Sequence, residues 1–190
     1  GPPRRGGRIR VATISSSTAD TLDPAKGALS TDFARHFMLY SGLTEFDPRL
    51  TPQPALAESI ETSDRLNWNI RLRGGVQFHD GSSLTPDDVV FSLMRHKDPG
   101  VASKVKTVAD QISEVRAQGP LEVSVRLTAP NADLPSILAT SHFLIIKSGT
   151  TDFHTAGFGV TYRLQTFTPG VRTVVTRNPN YWKPGRPFLD

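Results

Sequence analysis

At 190 residues, 37% apolar and 21% charged, with 15 glycines and 15 prolines, the chain can bury a core as one large or two small domains, and a fibrous or disordered reading is excluded. Cysteine is absent, which excludes disulfides, thiolate metal sites and thiol catalysis, and no run of ~18 apolar residues or signal-peptide core occurs. The net charge of +4 gathers near the two ends, at Arg4, Arg5, Arg8, Arg10 and at Arg172, Arg177, Lys183, Arg186; without interleaved aromatics it reads as solvated surface and not as a nucleic-acid site.

In chain order, Gly1-Pro2 matches what a tag-removing protease leaves and carries no weight in the fold. Ile9, Val11 and Ile14 predict a short strand over Arg8 to Ile14, ending in the polar loop Ser15 to Asp20. Leu22-Asp23-Pro24 predicts a turn, because proline drives the preceding residue out of the helical region. Phe33, Phe37 and Tyr40 stand at helical spacing, predicting a helix over Asp32 to Tyr40 capped by Thr31 or Asp32. Extended pieces follow at Leu43 to Phe46, Glu58 to Glu61 and Asn67 to Arg73. In the last, Trp68, Ile70 and Leu72 alternate with polar residues and mark a half-buried strand.

Leu84-Thr85-Pro86-Asp87-Asp88 carries every mark of a helix start: Thr85 as N-cap, proline at the first helical position, and carboxylates beside the positive end of the dipole. Val89, Val90, Leu93 and Met94 form its buried stripe, and Lys97-Asp98-Pro99-Gly100 stops it. Ile112 to Ala117 and Leu121 to Leu127 predict a hairpin, Leu134 to Thr140 a short helix capped by Asp133, and Phe143 to Ile146 a buried strand. A last hairpin runs over Tyr162 to Phe167 and Val171 to Thr176. Hairpins with a few helices make the fold class α+β, and the opening strand lacks a neighbour in sequence with which to pair.

Catalytic chemistry finds little support. The five histidines show no i, i+4 pairing and no HExxH, so each reads as an isolated surface residue and no metal site is expected. His79-Asp80 reads as a turn and Asp87-Asp88 as a helix start. No nucleophile elbow or phosphate-binding glycine loop occurs, so an enzyme is not expected, nor a cofactor.

Taken together, several segments resemble the bacterial extracellular solute-binding proteins that deliver oligopeptides, dipeptides, nickel complexes and similar solutes to ABC importers. They are Arg5 to Ala12, Leu22-Asp23-Pro24, Leu39 to Asp47, Trp68 to Gly81, Leu84 to Ser92, Phe167-Thr168-Pro169-Gly170 and Arg177 to Trp182. The resemblance implies part of lobe I of a two-lobed, type II periplasmic-binding-protein-like fold, a mixed sheet plus a hairpin-rich subdomain. Residues 1–42 would be an N-terminal segment of the large lobe, 43–177 the subdomain and 178–190 the return to the large lobe. It implies a small-molecule or peptide solute, a membrane permease as partner, and a periplasmic or extracellular location with any signal peptide removed. Members are much longer, so the second lobe, most of the hinge and part of the first sheet are expected outside this chain, leaving half a cleft.

The same resemblance places Ser15, Ser16, Ser17 and Thr18, then Gly27, Thr31 and Asp32, and finally His142 and Phe143 along the cleft; hydroxyls would bond a peptide backbone and Phe143 would form an apolar wall. The competing reading of each is ordinary loop or core, and Trp68, Phe78 and Phe91 are expected in the core. The family's Gly-Thr-Gly-Pro-aromatic turn appears here as Gly157 to Tyr162, without the proline and one residue longer. An interaction domain that pairs through the edge of an incomplete sheet, with a partner or with itself, is the competing function.

Overall fold

Alternation and capping decide most of the architecture. The computed structural model describes residues 1–2, 4–153 and 160–189. Its helices are α1 (Ser30–Leu39), α2 (Pro86–Met94), α3 (Lys106–Ala109) and α4 (Leu134–Leu138). Its strands are β1 (Thr44–Phe46), β2 (Pro52–Pro54), β3 (Ala57–Thr62), β4 (Asn67–Leu72), β5 (Ile112–Gly119), β6 (Glu122–Leu127), β7 (Tyr162–Thr168) and β8 (Arg172–Arg177). Three antiparallel sheets result: β1 with β2, a four-stranded sheet in the order β3-β4-β6-β5, and the β7-β8 hairpin. All the strand pairs among the described residues are antiparallel.

In the four-stranded sheet the register sets Trp68 opposite Val125 and Ile70 opposite Val123, so one face is apolar throughout. That face, with Leu72, Val115 and Leu127, packs on Val89 and Leu93 of α2 and on Phe78, Leu134 and Phe143. At about 1.5–3 kcal/mol for each large side chain removed from water, this cluster dominates the folding free energy. The other face is polar, and Arg71 reaches Glu58 at 3.4 Å and Glu122 at 3.2 Å across it. These half-exposed pairs contribute little stability.

The start of α2 follows the sequence signal: Asp88 Oδ2 accepts from the Thr85 amide at 2.7 Å, and Asp88 Oδ1 accepts from the Ser148 amide at 2.8 Å. One carboxylate thus caps the helix and anchors the chain beyond the 141–146 segment. A second cluster of Leu22, Leu39, Tyr40, Leu144 and Ile146 lies between α1, α2 and the β7-β8 hairpin, with Phe91 and Phe167 packed at its edge.

Several expectations need correction. Residues 8–14 form no strand: they make no ladder, Ile9, Val11 and Ile14 are 64%, 74% and 108% exposed, and the nearest backbone bond is Gly6 N–H to the Phe188 carbonyl at 2.8 Å. A strand needs a partner, and none of the described residues supplies one. Phe143 to Ile146 is buried but not a strand: a 3-10 turn over Ser141–Phe143 leads to one bridge between Ile145 and Ser41. Helix α1 starts at Ser30 with Leu29 as N-cap, and Asp32 serves from its third position by accepting from the Leu29 and Ala28 amides. Its buried face is also turned from the predicted one, since Phe37 is 47% exposed while Asp32, Arg35 and His36 point inward. His36 and His96 are likewise core residues and not surface histidines. The altered turn at Gly157 to Tyr162, and His154, fall at 154–159, outside the described residues except for Val160, Thr161 and Tyr162.

Candidate functional site

The polar loop before α1 is braced from within. Asp20 Oδ1 accepts from the Ser17 amide at 3.1 Å, the Asp20 amide returns to the Ser17 carbonyl at 3.0 Å, and Ser17 Oγ accepts from the Ala19 amide at 3.1 Å. The loop is then fixed from outside by the β7-β8 turn: Gly170 donates to Asp20 Oδ2 at 3.1 Å, and Ser16 Oγ donates to the Gly170 carbonyl at 3.4 Å. Gly170 has φ +74°, and a Cβ there would stand 3.0 Å from the Ser17 carbonyl carbon. Glycine is needed on both counts.

Arg35 joins these parts. Its guanidinium donates to Asp32 at 3.0 Å, Asp20 at 3.4 Å and Thr173 Oγ1 at 2.9 Å, and it lies 5.1 Å from the centre of the Phe167 ring. All three charged groups are buried, so removing one partner leaves an uncompensated ion and costs about 3–5 kcal/mol. Burial acts to raise the Asp32 pKa, but three backbone amides and nearby His36 outweigh it and hold the carboxyl below the usual range.

The next turn is held similarly. Asp23 accepts both arms of the Arg95 guanidinium at 2.8 and 2.9 Å and caps the short turn Pro24–Lys26 through the Ala25 amide at 2.9 Å. His36 Nε2 donates to the Thr21 carbonyl at 2.7 Å, and burial, the largest influence, lowers its pKa. Tyr40 donates to the Leu22 carbonyl at 2.9 Å, with burial driving its phenol pKa upward.

Of the sequence-predicted residues, Ser15, Ser16, Ser17 and Thr18 meet the start of α1: Ser15 Oγ lies 3.2 Å from Ser30 Oγ, and Thr31 and Asp32 follow on the helix. Gly27 and His142 come together, His142 Nε2 donating to the Gly27 carbonyl at 2.9 Å with its ring edge-on to Phe33. A Cβ on Gly27 would stand 3.0 Å from the Phe33 ring and 3.1 Å from the His36 ring. Phe143 does not join them. It is 2% exposed, its ring lies tilted against His96 with centroids 4.9 Å apart, and it belongs to the core. The braces Asp20, Asp23, Arg35, Arg95 and Gly170 were missed; only the i, i+3 spacing of Asp32 and Arg35 hints at them.

The arrangement is a rigid strip whose outer groups are hydroxyls, with Ser16, Thr18 and Ser30 exposed and Ser15 and Ser17 half-buried. Hydroxyls both donate and accept, which suits peptide-like amides and carboxylates. Among the described residues no group of three or more His, Cys, Asp or Glu side chains could hold a metal ion, and no helix is long and apolar enough to cross a membrane.

Comparison with known proteins follows the same direction. A family model described as bacterial extracellular solute-binding proteins, family 5 Middle, matches residues 51–190. The glutathione-binding protein GsiB of Escherichia coli O1:K1 is 31% identical over 95% of the chain and 36% of its own length. The oligopeptide-binding protein AppA of Bacillus subtilis is 34% identical over 67% of the chain and 23% of its own length. The solved structure of AppA with a nonapeptide superposes with a TM-score of 0.88 at 25% identity, over 100% of this chain and 40% of that one. That of AgaA from A. tumefaciens R10, in complex with agropinic acid, gives 0.82 at 25% identity over 92% and 37%. The matches therefore span from 23% to 40% of the length of these relatives.

Proposed function

Because the chain belongs to the bacterial extracellular solute-binding proteins, family 5, we infer that it forms one wall of a two-walled solute cleft serving an ABC importer of peptides or similar small solutes. In this reading residues 1–42 and 178–190 belong to the larger lobe, 43–177 form its subdomain, and a second lobe closes over the solute. The protein works in the periplasm or outside the cell, hands its solute to a membrane permease, and makes and breaks no covalent bond. GsiB and AppA, named for glutathione and oligopeptides, favour a peptide-like solute.

The observation that carries this reading is the braced hydroxyl strip. Buried ions fix Ser15, Ser16, Ser17 and Thr18 against Gly170 and α1 while their polar atoms remain at or near the surface. Preorganised polar groups on a rigid support are what a binding wall requires, because little ordering is left to do when the solute arrives. Gly27, Thr31 and His142 adjoin the strip, Asp32 braces it from within through Arg35, and Phe143 serves as packing in the core.

Amide chemical-shift mapping tests it. Glutathione and short peptides, added to millimolar levels, are expected to shift the resonances of Ser15 to Thr18, Gly27, Thr31 and His142. Shifts confined to the outer face of the β3-β4-β6-β5 sheet, around Asn67, Asn69 and Ser124, would contradict it. The exposed segment at residues 8–14 favours a second reading, association through an unpaired strand. A concentration-independent monomer by light scattering removes that one.

A further inference from the structure

We propose that the wall built around Ser15 to Thr18 selects anionic solutes, those carrying carboxylate or comparable negative groups in excess of positive ones. The inference rests on the binding-wall reading above and adds the charge of the ligand to it. Three segments frame the strip: residues 1–36, 141–146 and 168–172. They contain three acids, Asp20, Asp23 and Asp32. These are 7%, 5% and 3% exposed, and each is paired with a buried arginine, Asp20 and Asp32 with Arg35 and Asp23 with Arg95. Their charge is neutralised inside the protein and does not reach a solute.

The charges that do reach solvent from the same segments are positive. Arg8, Arg10, Lys26 and Arg172 are exposed, and among the described residues none of the four has a carboxylate partner. Arg172 begins β8 two residues after Gly170, whose Cα faces the Ser17 backbone, and two residues of chain span at most about 7 Å. Lys26 immediately precedes Gly27, whose carbonyl receives His142.

The bias extends further. Residues 1–19 hold four arginines and no acid, and residues 153–189 hold four arginines, one lysine and no acid. The two stretches meet through Gly6 and Phe188 at one end and through Ser16 and Gly170 at the other. By sequence the 20–152 stretch has more acidic than basic residues, so the surplus positive charge lies in these two stretches, where Lys183 is paired with Glu45. A one-signed field of this kind raises the local concentration of counter-charged ligands and is screened by salt.

Three probes of one size test this on the 190-residue chain: N-acetyl-Glu-Ala-Glu, N-acetyl-Ala-Ala-Ala-amide and N-acetyl-Lys-Ala-Lys-amide, each titrated while the amide resonances of Ser15 to Thr18 and Gly170 are followed. The acidic probe is expected to bind most tightly, and to lose most of its advantage when ionic strength rises from about 0.01 M to about 1 M, which shortens the screening length from about 30 Å to about 3 Å. Arg172→Glu is expected to weaken the acidic probe about threefold to fivefold, and Arg172→Gln by less. Unchanged resonances of the Trp68 and Ile70 amides establish that each variant is folded. Equal or tighter binding of the neutral or basic probe at these amides, or indifference to salt, overturns the proposal and leaves the binding-wall reading standing. Failure of all three probes to move these amides overturns both.

Discussion

His96 sits with Nδ1 2.7 Å from Ser103 Oγ and its ring against Phe143, and burial, reinforced by adjacent Arg95, holds its pKa down to about 4. His79 is held at about 4 by burial and then by Arg163, and His36 is lowered in the same direction. In the unfolded chain these imidazoles take up a proton near pH 6.5, so between about pH 6.5 and pH 4 the unfolded state binds more protons than the folded one. Stability is therefore flat above that window and falls as pH drops through it, by on the order of 3 kcal/mol for His96 alone. Asp32, with its lowered pKa, adds a further loss below the usual carboxylate range. Urea midpoints compared at about pH 7.5 and about pH 4.5 should show the decline; an unchanged or higher midpoint in acid would contradict the burial of these rings. None of this was legible in the sequence, because a lone histidine has no period by which burial can be read.

At the level of elements, local signals were reliable where the element completes itself. Thr85, Pro86 and Asp88 specify the start of α2 within a few residues, and the alternation of Trp68, Ile70 and Leu72 finds partners in the nearby β3, at Thr62, Ile60 and Ala57. They misled where the partner lies far away. Arg8 to Ile14 has strand composition but no ladder, and α1 was oriented by its aromatics although its inward face is decided by Arg35, whose partners include Thr173, 138 residues along the chain. The turn between β7 and β8 shows the same long reach. Gly170→Ala places a side chain at positive φ and against the Ser17 backbone, and is expected to destabilise the chain by about 1 kcal/mol or more. Hydrogen exchange of the Ala19 and Asp20 amides should quicken while that of Ile70 changes much less. Equal changes at both sites would mean that the turn does not specifically hold the loop.

For the whole molecule, motif order pointed to a solute-binding protein, and the family match over residues 51–190 agrees with it. What the sequence could not show is how the Ser15 to Thr18 strip is held, since Asp20, Arg35 and Gly170 are brought together only by the tertiary fold. Phe143 was misplaced for the same reason: an apolar residue beside a polar one fits a cleft or a core equally well until its neighbours are known.

In the proposed reading a single wall contacts only one side of a solute, so weak binding by this chain alone is expected. Calorimetric titration of the chain with glutathione or a short peptide measures that directly. A dissociation constant of about 1 mM or weaker, equivalent to no more than about 4 kcal/mol, is the expected result. Saturable 1:1 binding at about 1 μM or tighter would show that these residues form a complete site by themselves and would contradict the one-wall account.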